Sequence, residues 1–208
     1  MALLKSKPDT RTYILETALQ LFLIKGYKDV SYQDLMQKTK LSKGAIYHHF
    51  ASKEDILVSV FEYFVQAGKQ QQGPSPEEFV KDYASFKKLL LGIRKEQFRH
   101  FREMMGGKSL KFNKMLFFLE AIIENKKLKK PVDELMKQEV LFLEKCLKGM
   151  QKHGKLGKKQ DPVLLGRNLY WMMQGAESML FFMKGDAEEK DFIKVYADTL
   201  EDFFKMLN

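Results

Sequence analysis

The chain has 208 residues, 45% of them hydrophobic, with 17 Phe, 12 Met and one cysteine. That composition supports a buried core and excludes a disordered chain, while a lone Cys146 excludes an internal disulfide and a cysteine zinc cluster. The net charge of +9 is spread out, with 10 basic and 7 acidic side chains in residues 1–69 and lysine-rich stretches at 126–130 and 152–159 that read as solvated turns, so it permits a nucleic-acid partner without arguing for one.

The N-terminus, MALLKSKPDT, lacks the apolar run of a signal peptide. No apolar stretch approaches the roughly 18 residues of a membrane helix, and the densest early one, Met115 to Ile123, is broken by Glu120. The expectation is a soluble cytoplasmic protein with no membrane partner.

Apolar residues recur at helical spacing along nearly the whole chain, and no strand pattern stands out. The first helix begins near Asp9, carries Ile14, Ala18, Leu21 and Phe22 on one stripe, and ends at Gly26. Three start signals follow. Ser31 precedes Asp34, with Val30 and Leu35 placed as a hydrophobic staple. Ser42 repeats the arrangement with Leu41 and Ile46, and Ser52 precedes Glu54 and Asp55. These caps leave room for helices of about two turns between them; the helix after Ser52 runs through Ile56, Val60 and Phe64 to about Lys69. QQQGPSP at 70–76 is a break, after which Ser75-Pro76-Glu77-Glu78 opens a helix with a capping box and Pro in the first turn. Further helices are expected at about 76–91, 93–105, 108–125, 131–153, 161–183 and 187–206.

Two short helices joined by a tight turn, set on a longer first helix, make a helix-turn-helix unit. In the helix after Ser42 only Ile46 and Phe50 can face inward together, which turns Lys43, Gly44, Tyr47 and His48 outward. Such a segment can present its outer side to a groove as wide as the DNA major groove. Gly44 would let the backbone approach a sugar or phosphate; equally, it is tolerated in a first turn. The helix starts at Ser31, Ser42 and Ser52 offer N–H groups to phosphate oxygens. His48 and His49 are sequential, point about 100° apart on a helix, and cannot readily chelate one ion. No metal and no cofactor are expected.

Residues 11–57 resemble the DNA-binding domain of the TetR/AcrR family of bacterial transcriptional regulators. The resemblance is carried by Ile14-Leu15-Glu16-Thr17-Ala18 with Phe22 and Gly26-Tyr27, by Val30-Ser31 with Asp34-Leu35, by Leu41-Ser42-Lys43-Gly44-Ala45-Ile46-Tyr47-His48-His49-Phe50, and by Ser52-Lys53-Glu54 with Leu57. Leu35-Met36 stands where the family often has Ala, Val or Ile, and Lys40-Leu41 where it often has Gly-Val; both departures touch packing and turn shape. The resemblance implies a homodimer on a near-palindromic double-stranded DNA operator. It places Lys43, Gly44, Ala45, Tyr47 and His48 at DNA-contacting positions and Ser31, Tyr32, Tyr47, His49 and Lys53 where phosphate contacts are common, with Ser42 at the intervening helix start. His49 has an alternative role in capping or packing the end of its helix.

The expected fold is all-α with about nine to ten helices: a helix-turn-helix DNA-binding domain at 1–52, a connecting helix and linker at 53–73, and a helical ligand-binding and dimerisation domain at 74–208. The helix at 161–183 is apolar on most sides and so is buried on most sides. Leu165, Leu169, Met172, Ala176, Met179 and Met183 form one face, and Tyr170, Gln174, Glu177 and Phe181 the other, while Gly166 and Gly175 would allow close backbone approach. With Tyr196, Leu200, Phe203 and Phe204 of the last helix, the first face is expected at a dimer interface, as the resemblance implies, with intramolecular core as the other reading. Family members often sense a small molecule. Here Phe98, Phe101, Met104, Met105, Phe117, Tyr170, Trp171, Gln174 and Phe181 are candidate pocket residues, although each aromatic serves equally as core. Glu120 and Glu177 are carboxylates on apolar stretches, suited either to a cationic ligand or to an Arg or Lys partner.

No GxSxG, P-loop, dinucleotide fingerprint or metal cluster is found, and no enzyme is expected. The functional expectation is a transcriptional regulator, a repressor released from a palindromic operator by a small apolar or amphipathic molecule. The alternative is a DNA-binding regulator controlled by a protein partner with no small-molecule ligand.

Overall fold

A computed structural model describes residues 9–69, 75–104, 110–111, 121–123, 125–184 and 186–207, with the backbone alone at 64–69, 100–101, 104, 110–111 and 186. Helix α1, Thr10–Lys25, starts where the Asp9 carboxylate accepts from the Thr12 N–H and ends at Gly26, whose φ of 88° few other residues adopt. It buries Ile14, Leu15, Ala18, Leu19 and Phe22, a wider face than one stripe. Helix α2, Tyr32–Thr39, opens at the expected Ser31, which forms a capping box with Asp34. Helix α3, Lys43–His49, opens where Ser42 accepts from the Ala45 N–H. Helix α4, Lys53–Lys69, opens where Ser52 accepts from the Asp55 N–H at 3.0 Å. These caps satisfy backbone donors that a short helix cannot otherwise pair.

The chain divides into two compact units, Met1–Gln70 with Asn113–Val132 and Gln71–Phe112 with Asp133–Asn208. The second segment of the first unit carries a 3-10 turn, Lys126–Leu128, that packs on α4. The core of this unit is Ile14, Leu15, Phe22, Leu35, Ile46, Phe50, Ile56, Leu57 and Val60. Side-chain hydrogen bonds tie α1 to α4: Arg11 donates to Ser59 Oγ at 3.1 Å, and Tyr63 donates to Glu16 at 3.0 Å.

In the second unit, α5 is a single turn, Pro76–Phe79, and Ser75 makes no side-chain cap bond. Helix α6 then runs unbroken over Tyr83–Met104. This corrects the expected pair of helices at 76–91 and 93–105. The break falls at 80–82, where Asp82 accepts from the Ser85 N–H at 2.8 Å, and Gly92 is carried through because the helix is fixed by packing rather than by propensity. Strand β1, Leu110–Lys111, pairs antiparallel with β2, Asp186–Ala187, so the expected helix does not include 110–111; most of the rest of 108–125 lies outside the described residues. Helices α7, Lys129–Lys152, α8, Pro162–Lys184, and α9, Glu189–Lys205, stand within two residues of expectation. Helix α9 lies against α8 and α6, around a core of Phe86, Leu90, Leu147, Leu169, Met173, Phe192, Leu200 and Phe203. A Cβ on Gly166 would stand 3.0 Å from the Glu144 nitrogen, so α8 approaches α7 closely there as expected, whereas Gly175 faces open space. Among the described residues no helix is long and apolar enough to cross a membrane.

Candidate nucleic-acid interface

Helix α3 is too short to hold itself and is pinned by Ile46 and Phe50, which are 0% and 1% exposed. Burying two such side chains contributes about 1.5–3 kcal/mol each. The pinning fixes the rotation of the helix, so Lys43, Gly44, Tyr47 and His48 all stand exposed, with Ala45 and His49 half-buried. A Cβ on Gly44 would touch only Ser42 Oγ, at 4.0 Å, so its open side faces away from the protein. The Tyr47 ring stacks on Tyr32 of α2 at 4.8 Å and 16°, and Lys43 Nζ lies 5.6 Å from the Tyr47 ring centre. Burial pushes the Tyr32 phenol up to about 12, so it remains a neutral hydroxyl. The two tyrosines and Lys43 thus form one continuous surface spanning α2 and α3.

Ser31 is exposed at the start of α2, where Asp34 accepts from its N–H at 2.8 Å. Lys25 pairs with Asp34, and that ammonium, with the Ser31 N–H and hydroxyl, holds the Asp34 carboxyl well below the usual carboxylate range. The turn into α3 passes through Lys40, whose φ of 61° is left-handed. Ser42 is exposed and spends its hydroxyl on the Ala45 N–H.

Lys53 departs from its expected place. Its ammonium donates to the carbonyls of Tyr27, Lys28 and Val30 at 3.0, 3.2 and 2.9 Å and lies 4.6 Å from the Tyr27 ring centre. Three donors meet three acceptors, so this lysine clamps the α1–α2 loop onto the start of α4 and has no proton left for a phosphate. Sequence spacing could not foretell that, because the acceptors are backbone carbonyls 23–26 residues away.

The family model for bacterial regulatory proteins of the tetR family matches residues 14–60, the span that holds this surface. Over that span the chain is similar to tetR-family regulators. An uncharacterised HTH-type transcriptional regulator, YuxN of Bacillus subtilis, is 49% identical over 51 residues, 24% of this chain and 18% of YuxN. The HTH-type transcriptional repressor NemR of Escherichia coli is 35% identical over 63 residues, 30% of this chain and 32% of NemR. The chain thus spans less than a third of the length of these two curated relatives. A transcriptional regulator from Saccharomonospora viridis, solved in complex with choline, shares the fold with a TM-score of 0.72 at 20% identity, over 93% of this chain and 96% of that one.

The second unit sorts the remaining expected residues. Of the expected dimer face, Leu169, Tyr196, Leu200 and Phe203 are buried inside the chain, and Phe204 packs edge-on against Tyr83 and Phe86. Leu165, Met172 and Ala176 are half-buried, and only Met179 and Met183 stand exposed. The outward stripe of α8 is instead Leu164, Trp171, Met179 and Met183. A helix apolar on nearly every side leaves periodicity unable to choose which side faces in. Trp171, 55% exposed, therefore lies on the outer face and not among pocket residues.

Of the expected ligand residues, Phe98 and Phe181 pack on Phe192 with ring centres 4.6 and 5.0 Å apart, and Tyr170 is buried. Gln174 and Glu177 are half-buried. Phe101 and Met104 lie on α6, but their side chains, like Met105, Phe117 and Glu120 altogether, are outside the described residues. Glu177 accepts from the Tyr196 hydroxyl at 2.5 Å. Arg94, a residue the sequence did not single out, lies 5.0 Å from the Tyr196 ring centre and donates to Glu139 at 2.6 Å and Gln97 at 2.9 Å. Burial raises the Tyr196 phenol well above its ordinary value. Cys146 is fully buried and its thiol is pushed up to about 12 by desolvation, which leaves it unreactive. Among the described residues no cluster of three or more His, Cys, Asp or Glu could hold a metal.

Proposed function

We propose that the protein is a ligand-responsive transcriptional regulator of the cytoplasm, a repressor that binds a palindromic operator as a homodimer and leaves it when a small apolar or amphipathic molecule binds. The observation that carries the reading is the rotation of α3: Ile46 and Phe50 are buried, and Lys43, Gly44, Tyr47 and His48 face out on a surface braced by Tyr32. Lys43 is the group for a guanine edge or a phosphate, Tyr47 and His48 for base edges and backbone, and the starts of α2 and α3 at Ser31 and Ser42 for phosphate oxygens.

The homodimer is supported by the stripe of Leu164, Trp171, Met179 and Met183 on α8, an apolar face that burial by a second copy would remove from water. The effector is supported by the polar group in the second unit. One guanidinium, Arg94, stands among two carboxylates, Glu139 and Glu177, beside the Tyr196 ring. That surplus of negative charge next to aromatic rings suits a ligand with a cationic head. Choline, held by the regulator from S. viridis, is the first molecule to try. The ligand acts only through its different affinity for the two states, so it weakens DNA binding and DNA weakens its binding equally.

The test is selection of bound duplexes from a random pool at stated salt, since affinity depends steeply on salt. The reading expects a palindrome with half-sites about 34–36 Å apart. Enrichment of no sequence, or of one without two-fold symmetry, overturns it.

A further inference from the structure

The lysine run at 126–130, KKLKK, reads from the sequence as a solvated turn, yet it is built into the same compact unit as α2 and α3. Three features hold it in place. Leu128 is 0% exposed and anchors the turn. Asn125 accepts from the Lys127 N–H at 2.9 Å and caps it. Lys127 Nζ stands 3.5 Å from Glu54, in the first turn of α4 and five residues past the end of α3. The anchor turns the other four side chains outward, and Lys126, Lys127, Lys129 and Lys130 are all exposed. Among the described residues only Lys127 has a carboxylate within 4.0 Å, that of Glu54. Four ammonium groups within about one and a half turns repel one another, and a single exposed carboxylate offsets little of that. A polyanion offsets it fully and gains the entropy of released counterions.

We propose that Lys126, Lys127, Lys129 and Lys130 form a second phosphate-binding element, which grips the DNA backbone flanking each half-site outside the helix-turn-helix. The inference rests on the operator-binding reading above. It adds affinity without sequence information, because phosphates are the same at every base pair. The structural role of the run is met by Leu128 and Asn125, so the lysines are free to be removed.

The experiment measures the affinity of the full-length protein for its selected duplex, with long flanks, as a function of salt. The variant carries Lys126→Gln, Lys127→Gln, Lys129→Gln and Lys130→Gln together. Each neutralised phosphate contributes about 0.9 to the slope of log affinity against log salt, so one contact per protomer in a dimer lowers the slope magnitude by about 2. A matched variant with Lys152, Lys155, Lys158 and Lys159 changed to Gln removes the same charge from an exposed stretch of the second unit. The proposal expects the first variant to lose slope and the second to keep it. If both lose slope equally, net charge is responsible and the proposal falls; if neither does, it falls as well. Thermal melts establish that the variants fold, and the smaller pair Lys126→Gln with Lys130→Gln carries the test if the fourfold variant does not. Should the unaltered protein bind no duplex, the operator reading fails with this one. Should it bind with a slope that the variants leave intact, this inference alone fails.

Discussion

Lys40 holds a left-handed backbone, φ 61°, at the end of α2, where its N–H donates to the Met36 carbonyl. That conformation costs an ordinary residue about 1–2 kcal/mol, and glycine's extra chain entropy costs about 0.5–1 kcal/mol. The first cost is the larger, so Lys40→Gly raises the unfolding free energy by about 0.5–1 kcal/mol, read as a higher urea midpoint at unchanged slope. Lys53 gives the opposite outcome. Its ammonium closes three carbonyls over Tyr27–Val30, and charged hydrogen bonds are worth about 1.5–3 kcal/mol each in isolation but far less than their sum together. Lys53→Ala therefore lowers stability by about 2 kcal/mol while leaving the salt dependence of DNA binding unchanged well below the melting temperature. A stable variant with a reduced slope would return Lys53 to the list of phosphate contacts.

At the scale of elements, the helix starts were legible because a cap is a local pairing. Ser31 with Asp34, Ser42 with Ala45 and Ser52 with Asp55 each close within three residues. What propensity could not settle were elements fixed by distant partners. Gly92 looked like a helix boundary, yet α6 passes through it, and a Cβ there would meet nothing within 4 Å. An added Cβ on Gly149 of α7, which the sequence did not single out, would stand 2.4 Å from the Val80 carbonyl oxygen and 3.1 Å from that of Glu77. Thus Gly92→Ala stabilises by about 0.5–1 kcal/mol, and Gly149→Ala destabilises by about 1–3 kcal/mol because backbone must move to admit it. Denaturant unfolding of the two variants distinguishes them by sign. The split of α8 into inner and outer faces was illegible for the same reason: Leu169 and Trp171 are both large and apolar, and only the positions of α6, α7 and α9 decide that one is buried and the other is not.

For the whole molecule, the surface proposed to meet DNA was the most legible part, since the two-turn length of α3 leaves Ile46 and Phe50 no alternative to the core and Tyr47 none to solvent. The proposed effector and dimer surfaces were least legible, because apolar helices serve core, pocket and interface with the same residues. The most direct test of the account is the affinity of Tyr47→Ala for the selected duplex, measured by fluorescence anisotropy alongside a thermal melt. Tyr47 is 43% exposed, so its removal leaves the core intact. Loss of a stacked contact group weakens binding by roughly tenfold, in line with about 1–3 kcal/mol per good base contact, with the melting temperature unchanged. An affinity equal to that of the unaltered protein, from a fully folded variant, would contradict the account.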